Sequence, residues 1–488
     1  MGFPNEDELP RERADPGSLV VRSFVAVVVL LIPLRILWLG WQPPDDALRH
    51  AAKAVSGREW ADVLVVRSGV AADSHPGWHA VLSAVHRATG ATAPEIVTLS
   101  VLGLAIAVLL PGVLLLKRPE AWLLALLVPA LTEPARLIRL EGGRPFLLTT
   151  ALVVTLCLLS PRHAGGLSKR AVAAAAAAFG VVAWVHPSWY LFGLLPLACL
   201  LARRARLAGQ LTLALALGVL LAGLLTGHPL RFVFESVIHP ILAFRGVPPE
   251  LLVMEFRPQI GPPAFWLACL AVMGWRALRG RWTSTVLTSP VFILAILGWV
   301  LGLAVRRFWA DWGFPAALVW LAFEFQDALL ELRSSTVRRL GQAVAVSLPL
   351  LLAVTTDFDG RFTFRDRTFD CLATPDARSA LPDAGGILYS ADMRLFYTLF
   401  YRMPEAPFRY ALGYEPGLMT QEDLAVYRRL QVGDSEAYRV WVDRMRPPDR
   451  LLIVSPYIAP PVPGLDWTRA CGGLWSGRRG AGPLRTTP

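Results

Sequence analysis

The chain has 488 residues, of which 54% are hydrophobic and 17% are charged, and its mean hydropathy is +0.47. Soluble domains carry about 25% charged residues, so this composition, with its charges clustered between long apolar runs, excludes an ordinary soluble protein. The net charge of +11 comes mostly from arginines between those runs. No basic stripe with stacking aromatics occurs, so we exclude nucleic acid as a partner.

Apolar segments of about the length that crosses a bilayer recur along the chain, since about 20 helical residues span the hydrocarbon core. We identify them at 20–40, 96–116, 119–135, 145–160, 171–186, 188–202, 208–226, 262–278, 285–305, 313–330 and 341–355. This pattern predicts a mostly α fold, a polytopic membrane helix bundle of about 11 transmembrane helices. A re-entrant hairpin is the alternative for the shorter segments.

The turns between these segments alternate in charge. Short basic turns occur at 117–118, 161–170, 203–206, 276–281 and 331–339. The positive-inside rule then predicts a cytoplasmic N-terminus, with the opposite loops on the exoplasmic side of a bacterial cytoplasmic membrane.

The sequence divides into two predicted parts. Residues 1–355 form the transmembrane module, with a first exoplasmic loop at 41–95, and residues 356–488 form a C-terminal exoplasmic domain. In that domain the short apolar stretches "GGILYS" and "LLIVS" flank helix-like segments, which predicts a small α/β layer. Cys371 and Cys471 could form a disulfide in an oxidising compartment, or remain two free thiols.

Two adjacent carboxylates, Asp45 and Asp46, follow the first apolar segment directly and open a helical pattern. One of them is expected to cap the helix, because aspartate accepts hydrogen bonds from free N–H groups there. The other could be a general base or a ligand of a divalent cation. His50 lies one turn after Asp46 and therefore shares its helix face.

Further along the loop comes "SHPGWHAVLSAVHRATG", residues 74–90, with a histidine before a proline and an amphipathic run ending in glycine. This order of acidic doublet, helix, basic residue and proline resembles the first exoplasmic loop of GT-C superfamily glycosyltransferases. The closest similarity is to enzymes of the protein-mannosyltransferase and aminoarabinose-transferase type, which use polyprenyl-phosphate sugars.

The resemblance implies that Asp45 or Asp46 is the catalytic carboxylate and that His75 lies near the donor phosphate. The chain departs from the family pattern in three places: the doublet is Asp-Asp rather than Asp-Glu, His75 stands where lysine is usual, and Gly77 stands where a second proline is common. The last two departures bear on the phosphate role of His75.

A later stretch, "RRFWADWGFPAALVWLAF" at 306–323, resembles the late segment of the same enzymes. Arg306 and Arg307 could hold the donor phosphate through charge-assisted hydrogen bonds, or could simply anchor the chain at the interface with the tryptophans. Other candidate substrate contacts fall on the same predicted face, where a plain loop or a helix stop is the alternative: His50, Arg139, Glu141, Arg144 and His186.

The sequence thus predicts a glycosyltransferase that moves a sugar from a polyprenyl-phosphate donor to a lipid, glycan or protein acceptor by direct inverting displacement. No cofactor is indicated except an optional divalent cation at the doublet. An O-antigen ligase or polymerase, a secondary transporter and a non-enzymatic scaffold are the alternatives. The nearly charge-free helix interiors disfavour a transporter.

Overall fold

The computed structural model describes residues 16–68, 73–160, 165–244, 254–280, 288–332, 334–364, 368–456 and 458–480. Part of the predicted basic turn at 161–170 lies outside these ranges. Up to residue 355 the described chain is helical. The helices are α1 Pro16–Trp38, α2 Asp46–Ser56, α3 Trp60–Val63, α4 Pro76–Thr89, α5 Ala93–Leu115, α6 Glu120–Thr132, α7 Pro134–Ile138, α8 Phe146–Leu159, α9 Lys169–Val185, α10 Leu194–Leu201, α11 Ala205–Leu225, α12 Pro229–Phe244, α13 Pro263–Leu278, α14 Pro290–Gly302, α15 Arg306–Phe308, α16 Phe314–Glu331 and α17 Thr336–Thr355.

Five helices within the described residues are long and apolar enough to cross a membrane, and a bent pair would make six. The five are Gly17–Trp38, Ala93–Leu115, Ala205–Leu225, Arg306–Glu331 and Thr336–Thr355. The predicted count of about 11 is therefore not confirmed, although the mostly helical, apolar character is.

Proline and helix length explain the smaller number. The segment predicted at 119–135 is broken where Pro134 follows the non-helical residue Glu133. The helix axis bends by 116° between the two pieces. Others are shorter apolar helices, such as Phe146–Leu159 with 14 residues. At 1.5 Å per residue such a helix spans about 21 Å, less than the hydrocarbon core of about 30 Å.

The basic turns at 117–118 and 331–339 meet at one end of the bundle. Glu120 is buried there and accepts hydrogen bonds from Arg118 Nη1 at 3.2 Å and Arg339 Nε at 2.9 Å. Arg118 also donates to the carbonyl groups of Leu329 and Leu332 at the end of α16. Cations at a helix C-terminus are favourable because the carbonyl groups there carry partial negative charge.

The tail contains a five-stranded sheet in the order β2-β1-β3-β5-β4. Its strands are β1 Ile387–Tyr389, β2 Arg409–Tyr410, β3 Arg450–Val454, β4 Leu465–Cys471 and β5 Leu474–Arg479, and its helices are α18 Met393–Arg402, α19 Gln421–Gln431 and α20 Tyr438–Arg444. β1 runs parallel to β2 and β3, whereas β5 is antiparallel to β3 and β4. The predicted small α/β layer is confirmed.

The tail packs directly on the first loop. Val65 N donates to Tyr410 O at 2.9 Å and Arg67 N donates to Leu418 O at 2.9 Å, so the loop continues the sheet at its β2 edge. Above this edge α18 packs on α2, and one hydrophobic cluster includes residues from both. The division at residue 355 stays a prediction, because the core runs across it.

Cys371 and Cys471 form a disulfide across a sequence separation of 100 residues. A cross-link over so long a loop stabilises mainly by restricting the unfolded chain. We expect the double variant Cys371→Ser/Cys471→Ser to lose about 2–4 kcal/mol of stability, seen as a lower melting temperature in detergent. Reductant should slow the wild-type band on a denaturing gel and leave the double variant unchanged. Equal wild-type mobility with and without reductant would contradict the pairing.

Candidate active site

Helix α2 presents the acidic doublet. Asp45 is its N-cap and accepts a hydrogen bond from Asp46 N at 2.7 Å, and the helix ends at Gly57, whose positive φ of 62° suits a residue without a β-carbon. Asp46, the first helical residue, accepts a hydrogen bond from Arg49 Nε at 2.7 Å on Oδ1. Asp45 is thus the capping residue, and the second carboxylate oxygen of Asp46, Oδ2, is not bonded to Arg49.

Arg144 clamps the doublet from the loop between α7 and α8. Its guanidinium pairs with both oxygens of Asp45, with Nε at 3.0 Å from Oδ1, and its Nε lies 3.8 Å from Asp46 Oδ2. Its Nη1 donates to Glu255 Oε1 at 2.7 Å. Oδ2 of Asp46 accepts no hydrogen bond within the described ranges, so it is the least engaged oxygen of the pair.

The two carboxylates differ in their ionisation. Burial raises the pKa of Asp45 in spite of its pairing with Arg144. Burial also opposes ionisation of Asp46, but Arg49 and Arg144 outweigh it and lower the pKa of that group to about 2. The lowered pKa keeps Asp46 ionised at physiological pH.

A second pair of arginines extends the network. Arg139 donates to Glu255 Oε1 and to Asp311 Oδ1, each at 3.0 Å, and Arg307 Nε donates to Asp311 Oδ2 at 3.0 Å. Arg307 Nη2 lies 2.9 Å from His186 Nε2. Alternating cations and carboxylates thus connect Asp45 to His186 through side chains from five separate parts of the chain.

The π-helical turn Trp309–Gly313 between α15 and α16 positions Asp311. Gly298 of α14 lies so close that a β-carbon added there would overlap the backbone of Gly313. This close approach allows α14 to support the turn from behind. A π-turn often marks a functional site, because its extra residue redirects side chains.

Arg306 is placed differently from its neighbour. Its backbone N donates to Arg257 O at 2.9 Å, and its side chain makes no hydrogen bond to the network among the residues that the structure describes. Glu141 is also set apart, because its buried carboxylate has no hydrogen-bond partner in the described chain. The geometry therefore groups Arg139, Arg144 and Arg307 but not Arg306 or Glu141.

The predicted histidines lie in a row. The ring centroid of His75 is 5.1 Å from that of His50 and 5.6 Å from that of His186. Burial lowers the pKa of both His50 and His75, and the nearby charge of Arg49 lowers them further. Both rings are thus neutral near pH 7, and a neutral His75 can donate a hydrogen bond to a phosphate.

The lowered pKa values of His50 and His75 make the stability of the fold depend on pH. A histidine whose pKa is lower in the folded chain than the 6.5 of the unfolded chain stabilises the fold above pH 6.5 and destabilises it as the pH falls below that value. Each such group contributes up to about 1.4 kcal/mol per pH unit. We expect the melting temperature in detergent to fall between pH 7.5 and pH 5.5.

The same experiment has a matched pair of variants. His50→Gln should show a smaller fall than the wild type over this range, whereas His86→Gln, which alters a half-buried histidine of α4 outside the row, should show the wild-type fall. An identical pH dependence for His50→Gln and the wild type would contradict the lowered pKa of His50.

Several residues of the site were not singled out from the sequence. Glu255 and Asp311 join the arginines, and Tyr397 and Tyr414 come from the tail: Tyr397 Oη is 3.4 Å from Asp46 Oδ1, and Arg49 lies 4.0 Å from the ring centroid of Tyr414. For Asp311 a signal existed, since it lies four residues after Arg307 on a helical pattern. The tail residues carry no local signal.

A divalent cation does not fit between the two aspartates. Their carboxylates are held by the guanidinium groups of Arg49 and Arg144, and cation donor sets instead combine carboxylate and carbonyl oxygens around one point. Within the described residues no group of three or more His, Cys, Asp or Glu side chains could hold a metal ion.

Solved structures of ArnT from Cupriavidus metallidurans resemble this chain over nearly its whole length. The structure bound to undecaprenyl phosphate has 13% sequence identity and a TM-score of 0.57, covering 96% of this chain and 100% of that chain. The apo structure has 16% identity and a TM-score of 0.54, with coverages of 96% and 99%. The chain has the GT-C fold.

The GT-C resemblance of the first loop is thereby confirmed at the level of the fold. A weaker match is the archaeal oligosaccharyltransferase AglB from Archaeoglobus fulgidus, solved in complex with an inhibitory peptide and a dolichol-phosphate. Its TM-score is 0.48 at 13% identity, and the match covers 89% of this chain and 69% of that chain. We draw no conclusion from it. No protein-family model and no curated protein matches the sequence.

Proposed function

We propose that the protein is a glycosyltransferase that moves a sugar from a polyprenyl-phosphate donor to a lipid, glycan or protein acceptor at the exoplasmic face of the bacterial cytoplasmic membrane. One observation carries the proposal: the acidic doublet, three arginines and the histidine row, which come from distant parts of an apolar GT-C fold, meet in one network. The overall fold that it shares with ArnT bound to undecaprenyl phosphate supports the donor class.

In this proposal Arg307 and Arg139 bind the donor phosphate, with His75 and His186 beside them. Both arginines are already held by Asp311, so little side-chain entropy is lost when the phosphate binds. Arginine suits this task because its planar guanidinium donates two parallel hydrogen bonds to phosphate oxygens. As the phosphate leaves the anomeric carbon, the same donors stabilise its growing charge.

Asp46 is the proposed general base. It is ionised, and its Oδ2 is free to accept the proton of an acceptor hydroxyl as that oxygen attacks the anomeric carbon. Asp45 and Arg144 hold the start of α2 and so fix the direction of that oxygen. Direct displacement of the phosphate by the acceptor inverts the anomeric centre.

The placement of the site supports the proposed topology. The loops predicted on the exoplasmic side supply Asp46, Arg139, Arg144 and Arg307, while the basic turns at 117–118 and 331–339 meet around Glu120. The Cys371–Cys471 disulfide agrees with a tail in an oxidising compartment.

Binding of undecaprenyl phosphate tests the donor class directly. We expect the protein in nanodiscs to melt at a higher temperature with undecaprenyl phosphate than with undecaprenol, which has the same tail and no phosphate. The difference arises because the arginines recognise the phosphate. Equal shifts with the two lipids would contradict a phosphate site, and solute movement into liposomes without use of a lipid-linked sugar would favour a transporter.

A further inference from the structure

A hydrogen-bonded chain of three side chains runs from the edge of the site to its interior. His79 Nδ1 lies 2.9 Å from both carboxylate oxygens of Asp73, and His79 Nε2 lies 2.8 Å from His50 Nδ1. The Asp73 side chain is 33% exposed, whereas His50 is only 1% exposed. The chain therefore connects solvent to the dry part of the site, and the mechanism above gives Asp73 and His79 no role.

The hydrogen bonds fix the tautomers of both rings. A carboxylate can only accept, so the proton of neutral His79 is on Nδ1, and its Nε2 must accept from His50 Nδ1–H. His50 Nε2 is then a bare lone pair. It is buried and has no hydrogen-bond partner among the described residues, so it can accept a hydrogen bond from a ligand or a water molecule.

Burial and nearby cations keep the rings neutral. Burial lowers the pKa of His50, and Arg49, His79, His75 and Arg144 lower it further. Burial also lowers the pKa of His79, as do Arg49 and Lys53, while Asp73 raises it. The carboxylate orients the imidazole chain as a carboxylate orients the histidine in serine hydrolases.

Asp46 needs such a neighbour. A carboxylate with a pKa of about 2 can accept a proton only briefly, and that proton must leave before the next turnover. His50 lies one turn further along the same face of α2, about 5–6 Å away between β-carbons. In this arrangement one water molecule would connect Asp46 to His50 Nε2.

We propose that Asp73, His79 and His50 form a proton relay that removes the proton released in each transfer from the site. This proposal rests on the glycosyl transfer proposed above. His50 Nε2 gains a proton from water next to Asp46 as its Nδ1 proton passes to His79 Nε2, and the Nδ1 proton of His79 passes to the Asp73 carboxylate, which releases it to solvent. Only N–H and O–H bonds change, and the step leaves both rings as Nε2–H tautomers. Each ring returns to its starting form when it rotates out of the chain, takes a proton from water on Nδ1 and gives its Nε2 proton to water.

The variant Asp73→Asn separates proton transfer from positioning. The amide oxygen of asparagine still accepts the His79 Nδ1–H bond, so the rings stay oriented, but an amide cannot take up the proton. The assay is release of undecaprenyl phosphate from a mixture of synthetic undecaprenyl-phosphate sugars, with membrane extract as the acceptor. We expect kcat to fall about tenfold or more, with KM changed less than about twofold.

The pH profile gives a readout that a purely structural role would not move. Because Asp73 raises the pKa of His79, its loss should shift the acid limb of kcat to lower pH. His79→Gln should lower kcat at least as far, and His86→Gln should behave as the wild type. In the wild type, ¹⁵N-histidine NMR should show His50 as the Nδ1–H tautomer.

The outcomes are distinct. If the wild type transfers sugar and Asp73→Asn keeps its kcat and pH profile, the relay is wrong and the proposed function stands. A fall in kcat with an unchanged pH profile and a parallel fall in melting temperature shows a structural role and also overturns the relay. A His50 Nε2–H tautomer overturns it independently of any assay. No transfer by the wild type overturns both proposals.

Discussion

Asp46→Asn is expected to lower kcat by about 10²- to 10⁴-fold, the range of a lost general base, with little change in KM. The amide is nearly the same size as the carboxylate, so the start of α2 should be preserved, but it cannot accept the proton of the acceptor hydroxyl. The measurement is the initial rate of sugar transfer by protein reconstituted in nanodiscs.

Two further variants sharpen this result. Asp45→Asn should cause the smaller fall, because asparagine is also a good N-cap and the variant mainly loses the pairing with Arg144. Asp62→Asn changes an exposed carboxylate of the same loop and should leave the rate unchanged. If Asp45→Asn, Asp46→Asn and the double variant all keep full activity, the assignment of the base is wrong.

Arg307→Ala is expected to lower kcat/KM by about 10- to 100-fold, because a hydrogen bond to a charged group is worth about 1.5–3 kcal/mol. The variant also leaves the buried carboxylate of Asp311 with Arg139 alone. Affinity for undecaprenyl phosphate, measured by the shift in melting temperature, should weaken together with kcat/KM.

The adjacent residue provides the comparison. Arg306→Ala should cause the smaller fall, because its side chain lies outside the hydrogen-bonded network of the described residues. Arg231→Ala, which changes an exposed arginine paired with Glu235 on α12, controls for loss of a positive charge. Equal losses for Arg306→Ala and Arg307→Ala would show that interfacial charge, rather than the geometry at Asp311, binds the donor.

The local sequence was enough to predict individual helices and strands, because short-range interactions determine them. The helix that begins at Asp46 follows from an aspartate cap and a helical pattern, and the tail strands follow from short apolar runs between turns. The GT-C resemblance came from the first loop, supported by the stretch at 306–323. The number of spans did not follow, because a proline such as Pro134 breaks an apolar run without making it less apolar.

The composition of the site was only partly predictable. Arg139, Arg144 and Arg307 are visible as charges on one predicted face, but which of them meet the doublet depends on how distant loops pack. Glu255 comes from a loop with no motif, and Tyr397 lies 351 residues after Asp46. A contact of that separation leaves no trace in a window of sequence, since it is fixed by the fold of the whole chain.

The contact between the first loop and the tail affects the order of assembly during biosynthesis. The loop that carries Asp46 is made early, yet its sheet partner Tyr410 and its covering helix α18 are made near the end. At about 5–20 residues per second the ribosome needs roughly 20 to 70 s to cover that distance. During this interval the nascent loop has no sheet edge to join, so a chain that stalls before residue 393 lacks both the strand and the helix that cover the loop carrying Asp46.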